Sequence, residues 1–77
     1  MRKILEIEVL ADYIMNIVFE TGEKKAFDLK PYIQNGVFKE LQNESYLRSV
    51  KNRGYFVEWP HEQDLSSDTL YIEGLAL

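Results

Sequence analysis

The side chains that could do chemistry lie in one short stretch, where His61 is followed by Asp64, Ser66 and Ser67. These are the side-chain types of a nucleophilic triad, in which histidine takes the serine proton and aspartate orients the imidazole. Groups this close along one loop rarely reach triad geometry, and the chain has no Gly-x-Ser-x-Gly elbow. We therefore interpret His61 as a solvated turn residue and predict that the protein is not an enzyme.

The acidic residues of the same region offer a second chemistry, the binding of a cation. Glu62, Asp64 and Asp68 carry suitable oxygens, but the calcium-loop pattern with its glycine and distal glutamate is missing. Turn and capping roles account better for Asp64 and Asp68. The four glycines are dispersed and there is no cysteine, so neither a phosphate loop nor a thiolate metal site is indicated. We predict no metal and no cofactor.

The stretch 54–60 precedes these residues and holds the only tryptophan of the chain. Its alternation predicts a strand that ends at Pro60, because proline cannot donate to a β-ladder. One face would carry Tyr55, Val57 and Trp59. Trp59 could be a ligand platform, but a large aromatic residue on a strand of a small domain favours a core position.

The N-terminal third predicts a three-stranded antiparallel meander over residues 4–27. In the strand 4–10, alternation places Leu5, Ile7 and Val9 on one face. The strand 13–20 is apolar on both faces, which favours a central position in the sheet. Thr21-Gly22 suits a hairpin loop, since glycine supplies the positive φ that such loops need.

The remaining segments predict short helices and turns. Asp28 is placed to cap a helical turn over residues 29–33, with Phe27 and Tyr32 packed around it. A short helix over residues 37–42 would offer Val37, Phe38 and Leu41 to the core. Residues 43–49 predict a further turn or short helix.

Ser66 is predicted to be the N-cap of a helix that follows it. Asp68 would then lie in the first turn, where the helix dipole favours an anion. Leu65 and Leu70 would pack around this cap. The predicted fold class is therefore α+β, a small antiparallel sheet made of the meander plus a later strand, with short helices packed on it. At 77 residues we expect a single domain, 1–77.

Charge is unevenly distributed in the chain, which has 13 acidic and 9 basic residues and a net charge of −4. No lysine or arginine follows Gly54. The basic clusters, Lys24-Lys25 and Arg48/Lys51/Arg53, could contact phosphates, but they lack interleaved aromatic residues and favour a solvated face. Binding of nucleic acid is not expected of the isolated chain. No membrane span and no signal peptide are indicated, so we expect a cytoplasmic protein.

Five short motifs in this order resemble the bacterial domain of unknown function 2442 family. They are Ile17-Val18-Phe19-x-x-Gly22-Glu23, Phe27-Asp28-Leu29-x-Pro31, Gly36-Val37-Phe38-x-x-Leu41, Trp59-Pro60 and Asp64-Leu65-Ser66-x-Asp68-x-Leu70-Tyr71. The resemblance covers roughly residues 5–71 and implies a small α+β fold but no reaction. Similar proteins stand alone or are joined to a helix-turn-helix domain, and we expect that the residues after Tyr71 in this chain do not form such a domain. Some lie beside another small protein in an arrangement like a toxin–antitoxin pair.

These observations favour a non-enzymatic protein-interaction module. The family resemblance suggests the antitoxin-like partner of a small bacterial operon, and the alternative is a nucleic-acid-associated regulatory accessory protein. The expected partner is another protein or a second copy of the chain. Lys24 and Lys25 are typical of a guarded sheet edge, so we predict that the strand 23–27 is an edge strand and that an edge strand pairs across the interface with the partner. The acidic segment from Gly54 onward can attract a basic partner, and apolar residues beside a free carboxylate have little use in a core. On these grounds the predicted interaction residues are Lys24, Lys25, Glu62, Asp64, Leu75 and Leu77.

Overall fold

Two antiparallel sheets and several short helices make up the fold in a computed structural model that describes residues 1–77. The elements in chain order are β1 (Ile4–Val9), a 3₁₀ turn (Ala11–Tyr13), β2 (Ile14–Phe19), β3 (Lys24–Asp28), a 3₁₀ helix (Gly36–Gln42), α1 (Glu44–Leu47), β4 (Lys51–Asn52), β5 (Phe56–Glu58), β6 (Asp64–Ser66), α2 (Ser67–Glu73) and β7 (Leu75–Ala76). The first sheet has the order β1-β2-β3-β7 and the second β4-β5-β6. The predicted α+β class is confirmed. None of the helices has the length and apolar character needed to cross a membrane.

The predicted meander forms the first sheet, with β2 between β1 and β3. Alternate residues of β2, namely Met15, Ile17 and Phe19, are fully buried, because successive side chains of a strand point to opposite faces. Gly22 turns the β2–β3 hairpin at a φ of 89°. The predicted central position of β2 is therefore confirmed.

A β-bulge near the start of β1 changes which of its side chains reach the core. Ile4 lies opposite Phe19 and Glu6 lies opposite Val18, so Leu5 is an extra residue in the ladder. Strict alternation placed Leu5 inward, and that prediction is wrong, since Leu5 is 53% exposed. The extra residue shifts the phase of the strand by one, which lets Ile4 enter the core instead.

β3 is an inner strand, and its neighbour is the C-terminal strand β7. Lys25 lies opposite Ala76, and Ala26 lies opposite Leu75. The prediction that β3 is an edge strand guarded by lysines is therefore wrong, because the end of the chain pairs with it. Gly74 makes this return possible, since a Cβ at that position would lie 2.5 Å from the carbonyl oxygen of Leu70.

Between β3 and β4 the chain forms capped turns. The Asp28 carboxylate accepts a hydrogen bond of 2.9 Å from the Lys30 amide, so the predicted cap is confirmed, although residues 29–33 form one turn and no helix. In the 3₁₀ helix, Phe38 and Leu41 face the core, three residues apart as the geometry requires. The inward position predicted for Val37 is wrong, since this side chain is 70% exposed.

The stretch containing Trp59 lies in the second sheet, where β5 is paired with β4 and β6. Val57 and Trp59 are buried as predicted, whereas Tyr55, predicted on the same face, is 46% exposed. α2 begins after Ser66, whose hydroxyl accepts a hydrogen bond of 3.1 Å from the Thr69 amide and confirms the predicted cap. Thirteen apolar side chains from both sheets, both α-helices and the connecting turns form a single core.

Candidate functional site

One face of the four-stranded sheet is uncovered, and the strand register defines the residues on it. Directly opposed residues on neighbouring strands share a face. One row contains Glu6, Val18 and Lys24. Leu77 extends it, because its amide donates a hydrogen bond of 3.0 Å to the Lys24 carbonyl oxygen. The next row is Glu8, Asn16, Ala26 and Leu75. We call this set of eight residues the outer face.

The outer face is open because the core lies on the opposite side of the sheet. Along β2 the inner residues are fully buried, whereas Asn16 and Val18 are only partly buried. A groove of about 550 Å³ opens on the outer face. It is bordered by β1 and β3, and Val18 and Asn16 of the strand between them, β2, form its floor. Leu77 lines its far side and is 70% exposed, and Leu75, two residues earlier on the same face, is 75% exposed. The fold therefore holds apolar side chains in a fixed arrangement in contact with solvent.

The charged side chains of the outer face are separated by sign, with the acidic ones on one side and the basic one toward the other. Glu6 and Glu8 lie on β1, Lys24 lies on β3, and the two leucines follow on β7 and just after it. None of the three charged side chains takes part in a salt bridge within the chain. The groove therefore has an acidic border on β1, a floor of Val18 and Asn16, and a far border formed by Lys24 and Leu77.

The predicted interaction residues fall into separate places. Lys24, Leu75 and Leu77 come together on the outer face. Lys25 points elsewhere, with its ammonium nitrogen 4.4 Å from the centre of the Tyr71 ring. Glu62 and Asp64 belong to the second sheet and the turn before it, and Asp64 lies opposite Glu58. Sequence reasoning missed the contribution of β1 and β2 to the surface, since the alternation of residues does not show which face stays uncovered.

Tyr71 fixes α2 to the meander and so sets the direction of the C-terminal strand. Its hydroxyl donates a hydrogen bond of 2.7 Å to Glu23, and the Arg2 guanidinium lies 3.6 Å from the ring centre. Phe19 meets the same ring edge-on at 5.6 Å. The hydrogen bond from Tyr71, followed by that from Thr21, lowers the pKa of the Glu23 carboxyl below its ordinary value. These contacts position the leucines that follow α2.

His61 pairs with Glu40 rather than with its sequence neighbours. The imidazole Nδ1 lies 2.6 Å from Glu40 Oε2, and the ring stacks on Tyr46 with 5.2 Å between centres. No hydrogen bond joins His61 to Asp64, Ser66 or Ser67, so the side chains of the considered triad do not form a connected unit.

The side chain of Gln63 completes this arrangement and is itself buried. Its amide nitrogen donates to Glu40 at 2.9 Å, and its amide oxygen accepts from the Tyr46 hydroxyl at 2.5 Å. We call Glu40, Tyr46, His61 and Gln63 the loop brace, because they join the 3₁₀ helix, α1 and the turn before β6. Donation from Gln63, and then from His61, lowers the pKa of Glu40. No motif or spacing in the sequence indicates this brace.

The other candidate sites have structural explanations. Trp59 is 1% exposed and donates a hydrogen bond of 2.9 Å to the Leu47 carbonyl oxygen, so its predicted core position is confirmed and the ligand-platform alternative is wrong. Ser66 caps α2 and Asp68 lies in its first turn. No three acidic or histidine side chains converge in an arrangement that would hold a metal ion.

These features define a small α+β protein whose four-stranded sheet is buried on one face and open on the other. The chain belongs to the family described as Protein of unknown function (DUF2442), whose sequence profile matches residues 4–74. The resemblance found in the five motifs is thereby confirmed over nearly the whole chain. Comparison with curated proteins and with solved structures finds no match.

Proposed function

We propose that this chain is a protein-interaction module that binds its partner through the outer face. The observation that carries the proposal is the placement of Leu75 and Leu77, which are highly exposed although β-pairing to β3 holds them beside the groove. Contiguous apolar surface in water is characteristic of interaction sites. A partner that covers these leucines and Val18 removes apolar area from water, which favours association.

The proposed role is non-enzymatic. The one histidine contributes to the loop brace through its contacts with Glu40 and Tyr46. The buried Gln63 serves the same brace, and Ser66 serves the cap of α2. Because these side chains have structural partners, we assign none of them a catalytic role.

We propose that the partner is a small protein encoded beside this one, which the chain holds in an antitoxin-like role. The family resemblance motivates this choice, together with the small size of the chain and its acidic charge of −4. The acidic residues Glu6 and Glu8 on one border of the outer face suit a partner with basic residues around an apolar contact.

The alternative role, in nucleic-acid regulation, gains no support from the basic residues of the second sheet region. Arg48 lies 3.1 Å from Glu44, and Arg53 lies 3.2 Å from Glu58. These pairs leave less positive charge for phosphates. We expect no sequence-specific complex with duplex DNA in a gel shift, and a sharp complex at concentrations of about 10 nM would support the alternative instead.

A capture experiment with matched variants tests the proposed function. The wild-type chain, Leu77→Asp and Val37→Asp are immobilised and exposed to extract of the native host. Leu77 and Val37 are both 70% exposed, but only Leu77 belongs to the outer face. We expect wild type and Val37→Asp to retain the same protein and Leu77→Asp to lose it. Equal retention by all three, or capture of nothing, would contradict the proposal.

A further inference from the structure

We infer that the outer face also packs against the outer face of a second copy of this chain, giving a two-fold symmetric dimer of sheets. The inference deepens the proposed function and rests on it in one respect, that the outer face is the working surface. The molecule that covers the outer face is then a second copy of the same chain. The order of charge across the face is the observation that carries it.

Acidic and basic groups of the outer face lie on different strands. Glu6 is on β1 and Lys24 is on β3, with Val18 of β2 between them. Two strand spacings separate the acid from the base by roughly 10 Å within one sheet. At this separation the two side chains do not pair with each other, and neither forms a salt bridge with another residue of the chain. Both charges remain available to a surface that presents the opposite order.

A second copy presents that opposite order when it is turned over. A two-fold axis parallel to the strands, between the two sheets and between β2 and β3, reverses the strand order of the facing copy. β1 of each copy then lies over β7 of the other, and β2 lies over β3. Face-to-face sheets pack about 10 Å apart, so a lysine on one can reach a carboxylate on the other. Lys24 of each copy thus approaches Glu6 of the second copy.

The apolar residues are covered by the same arrangement. Leu75 and Leu77 of one copy pack along the strand that carries Glu6 and Glu8 of the other, against the methylene groups of those side chains. Val18 packs against the stem of Lys24. Because the interface is isologous, each of these contacts occurs twice.

The size of the face limits the strength of the dimer. Three strands of five or six residues and the two-residue β7, about 4.8 Å apart and at 3.4 Å per residue, span on the order of 300 Å². Stable interfaces bury about 800 Å² on each partner, so this one is weak and depends on protein concentration. The proposed protein partner uses the same residues, and its binding therefore displaces the second copy.

Sedimentation equilibrium over a range of concentrations tests the inference with a charge-swap series. The chains are wild type, Glu6→Lys, Lys24→Glu, the double variant Glu6→Lys/Lys24→Glu, and Val37→Asp as the control outside the face. Glu6 and Lys24 are exposed, so the substitutions leave the core intact, and unchanged circular dichroism verifies this.

We expect the wild-type mass to rise toward that of a dimer as the concentration approaches about 1 mM, the range for small interfaces. Each single variant places like charges opposite one another and weakens the dimer by about tenfold. The double variant restores opposite charges and recovers dimerisation, and Val37→Asp behaves as wild type. Added salt weakens the wild-type dimer, because the charges lie at a surface.

Two results overturn the inference. One is a wild-type chain that stays monomeric at the highest concentration, and the other is dimerisation that the charge-swap series leaves unchanged. If either occurs while Leu77→Asp still loses the captured host protein, the second copy is excluded and the proposed function stands. If dimerisation follows the charge-swap series but host capture is unaffected by Leu77→Asp, the inference stands and the hetero-partner at this face is excluded.

Discussion

The indole nitrogen of Trp59 donates a hydrogen bond of 2.9 Å to the main-chain carbonyl oxygen of Leu47. Both residues are buried, Trp59 just after β5 and Leu47 at the end of α1. The bond satisfies a carbonyl at a helix terminus, where no partner exists within the helix. A single side chain therefore joins the second sheet to the helical region.

We expect Trp59→Ala to lower the free energy of unfolding by about 3–5 kcal/mol, the cost of a large core truncation. A small domain has a total stability near 5 kcal/mol, so this variant keeps at most about 2 kcal/mol of it. Trp59→Phe keeps the ring but leaves the Leu47 carbonyl without its donor, which costs about 1–3 kcal/mol. Urea unfolding measures both, with the exposed Tyr55→Ala as control. An unchanged Trp59→Ala midpoint would remove this residue from the core.

The two ends of one short helix provide a second test. Leu41 is fully buried, whereas Val37 is exposed on the same 3₁₀ helix. We expect Leu41→Ala to cost about 2–5 kcal/mol, and Val37→Ala to change stability by less than about 0.5 kcal/mol. Thermal or urea unfolding distinguishes these values. Similar losses for the two variants would mean that Val37 packs inward, as its sequence position first suggested.

Acid is expected to weaken the loop brace. The pKa of Glu40 is lowered from its ordinary value of 4.5, first by the hydrogen bond from Gln63 and then by that from His61. A carboxyl with a lowered pKa in the folded state contributes stability above its unfolded pKa, and this contribution is lost as the pH falls through the folded value.

The measurement is the free energy of unfolding at neutral pH and at the acid end of a pH titration, since the contribution of the carboxylate is lost as the pH falls through its lowered pKa. We expect wild type to lose more stability between the two conditions than Glu40→Gln, which cannot titrate at this position. A variant with the same pH dependence as wild type would show that the brace does not depend on the charge of Glu40.

Removal of residues 74–77 should leave the chain folded but reduce its association. Leu75 and Leu77 are largely exposed, so their loss leaves the thirteen-residue core complete. The truncated chain lacks β7 and exposes β3, yet the β1–β2–β3 meander keeps its own hydrogen bonds.

Circular dichroism and cooperative unfolding verify the fold of the truncated chain, and sedimentation measures its association. A truncated chain that self-associates and captures host protein as well as the full chain would show that the C-terminal leucines are not part of the binding surface. Loss of cooperative unfolding would instead assign β7 a structural role.

The sequence was most informative where one segment carries its own pattern. Alternation along β2 predicted that its side chains lie on two separate faces, because side chains of a strand alternate whatever surrounds them. Gly22 predicted the hairpin through its positive φ, and Asp28 and Ser66 predicted caps through bonds to amides two or three residues away. All of these contacts are local, so the residues that make them lie within one short window.

Three features depended on contacts between distant segments. The bulge at Leu5 places Ile4 in the core. This bulge is a feature of the pairing between β1 and β2, so β1 alone does not reveal it. Glu40 and His61 are 21 residues apart, and no spacing rule relates them. β7 pairs with β3 because α2 ends at Gly74, where the chain turns back along the sheet.

The outer face combines both kinds of information. Sequence alone indicated Lys24, Leu75 and Leu77 as interaction residues, from their chemistry and their lack of use in a core. Only the tertiary structure placed them in one surface with Glu6 and Val18. The physical reason is that alternation along a strand shows only that the strand has two faces. Which face is buried depends on the other segments of the chain, because a face leaves water only when other segments pack against it.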